Sequence, residues 1–350
     1  MPQRTEISTL GEFGLIDRIT NGITFCNKST LKGVGDDCAV VSYPDAKVLL
    51  TSDMLMEGIH FDLVYTPLKH LGYKAAVVNF SDVYAMNGTP RQLIVNIALG
   101  RRFCVEDMDE LYAGVRLACQ RYNVDLVGGD TTSSLTGLAI SMTCVGEARE
   151  ADIVYRSGAS NTDLICVSGN LGAAYMGLQL MEREKAIFES QKGTAEEMAQ
   201  PEFSGREYLI ERLLKPEARR DVVENLRQAG IRPTSMMDIS DGLSSEMLHI
   251  CKQSHVGCRI YEERIPLDYQ TAVAAEEFNM NVTTCALNGG EDYELLFTVP
   301  LTDHEKVSAI EDVKVIGHIT KEDLGCLLIA RDGQEFALKA QGWNPLAEGK

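Results

Sequence analysis

The chain has 350 residues, room for two domains of ordinary size, and its 45% hydrophobic and 24% charged content is that of a water-soluble globular protein. Against 33 Lys and Arg stand 51 Asp and Glu, a formal charge of −18. Such a surface repels nucleic acid and anionic membrane, which excludes both as partners, and would reach an anionic substrate only through metal cations. Ten cysteines are scattered with no C-x-x-C, and the spacing of Cys251 and Cys258 fits no paired zinc pattern. Met1 to Glu6 lacks the apolar core of a signal peptide, and the uncharged stretch 131–146 is too short and polar to span a bilayer. These features point to reduced thiols and a cytoplasmic protein.

In chain order, Phe13, Ile16 and Ile19 recur at helical spacing and predict a short amphipathic helix over 10–20. Strands are expected near 38–43 and 47–51, joined by a turn at 43–46 that contains Pro44. A long helix covers 68–86, with Asn79 and Asp82 on one face, and Gly88-Thr-Pro90 stops it. A strand near 93–98, a helix near 105–122 and a strand near 124–127 follow. Gly128 and Gly129 are expected to turn the chain sharply and present Asp130. A strand near 138–145 completes this half.

The charged, irregular stretch 147–163 marks a boundary between units 1–148 and 149–350. The second opens with a strand over 163–168, then Gly-Asn-Leu-Gly and a helix. Residues 181–207 are polar and weakly periodic, which places them outside the core. Helices near 207–214, 217–229 and 242–253 alternate with strands near 236–239, 258–261, 294–299, 313–317 and 326–330. The alternation lacks a doubly wound rhythm, so the class is α+β, or mixed α/β.

Common catalytic signatures are missing. There is no G-x-x-x-x-G-K-[ST] phosphate loop, no protein-kinase His-Arg-Asp or Asp-Phe-Gly, and no G-x-S-x-G elbow; His304-Glu305 lacks a zincin's second histidine. What remains is oxygen-rich: Asp36, Thr51, Ser52, Asp53, Asp82, Asp130, Asp238 and Asp241, set in acidic stretches beside apolar strands or helices. Each alone reads as a turn residue or a helix cap; Ser240 or Asp241 would cap the helix that follows. Together they suggest loops meeting around several magnesium ions and the phosphates of ATP, because hard oxygen ligands select magnesium, manganese or calcium over zinc. Composition and periodicity stop at an acidic, metal-binding enzyme.

Six stretches then make a specific resemblance: Gly33-Val-Gly-Asp-Asp-Cys-Ala-Val-Val41, Thr51-Ser-Asp-Met-Leu-Met-Glu-Gly-Ile-His-Phe61, Asn79-Phe-Ser-Asp-Val-Tyr-Ala-Met86, Gly128-Gly-Asp-Thr-Thr132, Asp238-Ile-Ser-Asp-Gly-Leu243 and Gly289-Gly-Glu-Asp-Tyr-Glu-Leu295. In order and spacing, from about residue 10 to the end, the chain resembles the thiamine-monophosphate kinases of the aminoimidazole-ribonucleotide-synthetase-like superfamily. Tyr84 stands where that family usually has a small residue.

The resemblance implies an N-terminal α/β domain whose strands form a barrel across a homodimer, and a C-terminal α/β domain that completes the site. It implies phosphoryl transfer from ATP to thiamine monophosphate, giving ADP and thiamine diphosphate. Asp36, Thr51, Ser52, Asp53, Asp82, Asp130, Asp238 and Asp241 would ligate magnesium. Tyr112, Gly129, Asp130, Arg156 and Ser240 would bind ATP, and His60, Glu291 and Trp343 the thiamine substrate. Outside that frame, His60 reads as a strand-end histidine, Arg156 as a surface arginine, Glu291 as a turn carboxylate and Trp343 as packing. Two other readings are another superfamily member, such as a selenophosphate synthetase or an aminoimidazole ribonucleotide synthetase, and a non-catalytic divalent-cation binder. The first lacks its early reactive Cys or selenocysteine in a glycine-rich loop, and the second has no EF-hand loop to support it.

Overall fold

The computed structural model describes residues 30–32, 36–37, 39–43, 46–191 and 203–341. The helix expected over 10–20 and Trp343 lie outside them. The first half forms a six-stranded sheet of β1 (Thr30–Lys32), β2 (Ala39–Tyr43), β3 (Ala46–Met56), β4 (Thr89–Leu99), β5 (Asp125–Ser133) and β6 (Ala139–Ala148), in the order β1-β2-β3-β6-β4-β5. Among the described residues its only parallel pair is β4 with β5. A parallel pair needs a crossover, and helix α2 (Val105–Tyr122) supplies it. Along β6 burial alternates residue by residue, so one face of this sheet is covered and the other is more open.

The covering element is α1 (Leu68–Ala85), and 14 of its 18 residues are buried. Its sequence is apolar nearly all round, which suits a helix enclosed on every side. It packs on β3, β4 and β6, on α2 and on a strand of the second half, β8 (Ser235–Asp238). Contact with α2 is at backbone distance: a Cβ on Gly72 would lie 2.0 Å from the Leu111 carbonyl oxygen, and one on Gly114 would lie 1.9 Å from that of Lys69. Alanine at either position would force the helices apart.

The second half forms a seven-stranded sheet of β7 (Leu164–Ser168), β8 (Ser235–Asp238), β9 (Val256–Tyr261), β10 (Leu295–Val299), β11 (Val313–Lys321), β12 (Cys326–Ile329) and β13 (Glu335–Ala337). Their order is β13-β12-β9-β11-β7-β10-β8, antiparallel except for β12 with β9. The helices here are α3 (Ala173–Gln191), α4 (Glu207–Leu214), α5 (Arg220–Gln228), α6 (Leu243–Ser254), α7 (Tyr269–Glu277), α8 (Val282–Asn288) and α9 (His304–Ser308). The class is mixed α/β. One cluster of buried apolar side chains runs from Val40 and Phe80 in the first half to Cys166, Phe297 and Val313 in the second. Among the described residues no helix is long and apolar enough to cross a membrane.

Three local expectations change. Gly128, Gly129 and Asp130 are not a turn; they lie inside β5, paired with Ile94, Val95 and Asn96, because the parallel ladder engages their backbone groups. The stretch from 181 does not leave the core at once, since α3 runs on to Gln191 and buries Met181. Helices α7 and α8 were not expected; they are short, and each starts at a side-chain cap, Asp268 accepting from the Gln270 N–H at 2.7 Å and Asn281 from the Thr284 N–H at 3.0 Å.

Candidate active site

Strand periodicity divides the Thr51-Ser-Asp53 stretch. Thr51 and Asp53 face α1, and Ser52 points the other way, where its hydroxyl bonds the Met142 carbonyl oxygen and the Thr143 hydroxyl, both at 3.0 Å. Helix α1 answers with two consecutive side chains. The Thr51 hydroxyl donates to Asp82 Oδ2 at 2.5 Å, and the Ser81 hydroxyl donates to Asp238 Oδ2 at 2.5 Å. Asp238 ends β8, so one turn of α1 gathers oxygens from both halves of the chain. Carboxylate oxygens of Asp37, Asp82 and Asp238 lie within 4.8 Å of one another.

Asp36 and Asp37 meet Arg156 differently. Asp36 Oδ1 accepts from the Arg156 backbone N–H at 2.7 Å, and Asp37 Oδ1 accepts from the guanidinium at 2.5 Å. Asp37 therefore enters the cluster, with Asp36 at its edge; the sequence had singled out Asp36. The electrostatics are those of crowded, buried acids. Burial, reinforced by the Asp37 charge, pushes Asp53 up to about 6 and Asp238 up to about 7. Burial raises Asp82 well above the carboxylate range, with Asp53, Asp238 and Asp37 adding repulsion, and it raises Asp37 despite Arg156. Asp37 Oδ2 and Asp53 Oδ2 are buried with no hydrogen-bond partner. Unpartnered carboxylate oxygens, a hydroxyl and repelling acids form the donor set of a hard divalent cation, and the residues present fit one.

The second motif pair lies alongside. The backbone N–H of Glu291 donates to the Ser240 carbonyl oxygen at 2.7 Å, which ties the 288–294 loop to the loop after β8. Glu291 itself sits at φ +58. Its carboxylate takes Lys74 Nζ at 2.7 Å, and Lys74 also donates to the Leu213 carbonyl oxygen at 3.1 Å. His60 Nδ1 accepts from the Met56 N–H at 3.0 Å, so the ring proton belongs on Nε2. Burial lowers its pKa and keeps it neutral near pH 7, and Glu291 and Lys74 are the charges that act on it.

The capping position of α6 is Gly242, not Ser240 or Asp241. Glu246 Oε1 accepts from the Ser240 and Asp241 backbone N–H groups, at 3.3 and 2.8 Å. The next acids hold the 288–294 loop: Asp292 accepts from the Gly172 N–H at 2.8 Å, and Glu294 takes the Ser168 hydroxyl at 2.5 Å, Arg212 at 2.9 Å and Arg219. Lys74, Ser81, Glu246 and Glu294 were all missed in the sequence. A lysine inside the apolar run 71–80 was the one available signal.

The remaining expectations do not converge on the cluster. The register sets Asp130 in a row with Met54, Ser141 and Asn96, on the sheet face opposite Asp53; it is exposed and accepts from the Thr131 N–H at 2.8 Å. Gly129 is in the row of Asp53, Met142 and Val95, where a Cβ would lie 1.9 Å from the Val95 carbonyl oxygen. Tyr112 is half-buried on α2, packed against the core.

Residues 35–148 match the family described as AIR synthase related protein, N-terminal domain. The thiamine-monophosphate kinase of Aquifex aeolicus (strain VF5) is 37% identical over 340 residues, 97% of this chain and 99% of the relative. That of Bacillus subtilis (strain 168) is 30% identical, over 96% of this chain and 99% of the relative. The chain belongs to the thiamine-monophosphate kinase family. A solved structure described as AaThiL complexed with AMPPCP and TMP superposes with a TM-score of 0.81 at 35% identity, covering 97% of this chain and 99% of that one. Thiamine-monophosphate kinase activity, ATP-dependent, is thus the activity of this chain, and the acidic cluster is its candidate centre.

Proposed function

We propose that this thiamine-monophosphate kinase moves the γ-phosphoryl group of ATP to the acceptor phosphate in one in-line step, on magnesium held by the cluster. Asp37, Asp53, Asp82 and Asp238 with the Thr51 hydroxyl are the ligands proposed, Asp36 and Asp241 flank them, and Ser52 and Asp130 are left out. Bound magnesium would neutralise the triphosphate and the charge that develops on the leaving oxygen. The observation that carries this reading is the convergence of Asp37, Asp82 and Asp238 oxygens within 4.8 Å, with Asp37 Oδ2 and Asp53 Oδ2 unpartnered.

The acceptor is a phosphate whose second pKa is about 6, by analogy with phosphoserine, so it is already anionic at neutral pH and needs no general base. Neutral His60 fits that chemistry: it orients substrate and moves no proton. Glu291 would face the cationic thiazolium, with Lys74 fixing its carboxylate. Arg156, whose Nε is unpartnered, would turn part of its guanidinium to a phosphate. Ser240, Gly129 and Tyr112 complete the proposed nucleotide site and Trp343 the thiamine site.

Two copies would pair through the open face of the first sheet, where Leu50 and Met54 are exposed and every residue of β5 is exposed. The proposed units are 1–148 and 149–350, and the proposed compartment is the cytoplasm. The test is product mass spectrometry with ATP, magnesium and thiamine monophosphate. Thiamine diphosphate from the parent and none from Asp82→Asn is the expected pair of results; parental turnover by that variant would remove the cluster from the chemistry.

A further inference from the structure

Three cysteines that are far apart in the chain meet in the second half. Cys251 lies on α6, Cys258 on β9 and Cys326 on β12, and their sulfurs lie within 4.8 Å of one another. Cys258 and Cys326 are register partners of the parallel β9–β12 pair. The backbone holds them there: the Cys258 N–H donates to the Gly325 carbonyl oxygen at 3.1 Å, and the Leu338 N–H to that of Cys326 at 2.9 Å. The Arg259 guanidinium closes the adjacent turn on the carbonyl oxygens of Gly325 and Leu324, at 3.1 and 3.2 Å. Cys251 and Cys258 are buried and Cys326 is half-buried, which leaves one open side. All three thiols are free.

We propose that Cys251, Cys258 and Cys326 form a thiolate site for one soft d10 cation, Zn2+ or Cu(I), separate from the acidic cluster. Three sulfurs bound to one ion at about 2.3 Å stand about 3.8–4.0 Å apart, so the closing movement is under about 1 Å per pair. Soft thiolates select this class of ion against magnesium, as the oxygen cluster selects the reverse. No fourth His, Cys, Asp or Glu completes the group among the described residues. A zinc ion there would need a water as its fourth ligand, reached past the half-buried Cys326, whereas Cu(I) is satisfied by three sulfurs. Binding releases the thiol protons, so uptake strengthens as pH rises.

The placement gives the ion a mechanical role. Helix α6 begins directly after the short loop that follows Asp238 and carries Asp241, and Cys251 lies toward its other end. An ion joining Cys251 to β9 and β12 would pin that helix to the sheet, and with it the loop.

The experiment uses the tag-free full chain, reduced and freed of metal, in excess magnesium. Zn2+ and Cu(I) are titrated in separate arms against competing chelators, with Cys326→Ser and Cys144→Ser beside the parent. One ion per chain, three sulfur neighbours in its X-ray absorption spectrum and a higher Tm are expected for the parent and for Cys144→Ser. Cys326→Ser should lose tight uptake and the Tm rise; being half-buried, this position tolerates serine. Oxygen-only coordination, undiminished uptake by Cys326→Ser, or reduced protein that takes up neither ion would overturn the site.

Discussion

Lys74 and Glu291 join the two halves of the chain through one ion pair, Nζ to Oε2 2.7 Å, with the lysine side chain 7% exposed and the glutamate 35%. The pair is half-buried, so screening reduces its worth and the main cost falls on whichever charge is stranded. Glu291→Gln removes the charge partner of Lys74 and leaves it only neutral acceptors, among them the Leu213 carbonyl oxygen. A stability loss of about 1–2 kcal/mol is expected, with a raised KM for thiamine monophosphate and little change in kcat. Adding Lys74→Met should restore the stability and leave KM raised. Denaturant melts and steady-state kinetics on the three variants check both parts; recovery of KM in the double variant would take Glu291 off the substrate.

Asp82→Asn separates stability from catalysis. Asp82 is buried among Asp37, Asp53 and Asp238, whose charges repel it. Removing one charge should stabilise the magnesium-free protein by about 1 kcal/mol or more while turnover falls on the order of a hundredfold or further. Thermal melts without metal, paired with product assays, test the opposition of sign. A variant that is both less stable without metal and active would contradict it.

The raised acids also set a pH dependence. A carboxyl whose folded pKa is raised holds more protons in the folded than in the unfolded state, so stability falls as pH rises between the two values. With Asp53 near 6 and Asp238 near 7, the metal-free protein should lose stability as pH rises from about 4 to about 7. Magnesium at the proposed site would bind the ionised form, so its Tm increment should grow over the same window. Melting curves from pH 5 to pH 8, with and without magnesium, measure this; an increment independent of pH would place the ion elsewhere.

Free thiamine should not be phosphorylated. Its hydroxyl needs a base, and His60, the nearest candidate, spends Nδ1 on the Met56 N–H. Thiamine offered alone with ATP and magnesium is therefore expected to come back unchanged by mass spectrometry and to inhibit only weakly. Conversion at a rate comparable to that of thiamine monophosphate would end the base-free mechanism.

Helices α2 and α4 were legible because their apolar faces recur at helical spacing, and the structure sets them at Val105–Tyr122 and Glu207–Leu214. Strand β5 was legible only in its first part, near 124–127, because Gly128-Gly129 carries a turn signal that pairing with β4 overrides. In the site, the motifs located Asp53, Asp82 and Asp238, but adjacency cannot say which of Asp36 and Asp37 turns inward. Strand alternation could have separated Ser52 from Thr51 and Asp53 before any coordinates were known. The meeting of Cys251, Cys258 and Cys326 was beyond reach, since it depends on the non-local pairing of β9 with β12.

The apolar cluster that runs through both sheets determines how this kinase can be opened. Swinging one half from the other would strip Phe80, Tyr84 and Phe297 of their surroundings at once, so a clam-shell gate is closed to it. Nucleotide and product must pass local loops, and the chain should unfold in a single cooperative step. A protease nick at the exposed residues 149–151 would then leave two pieces that remain clasped and travel together on gel filtration.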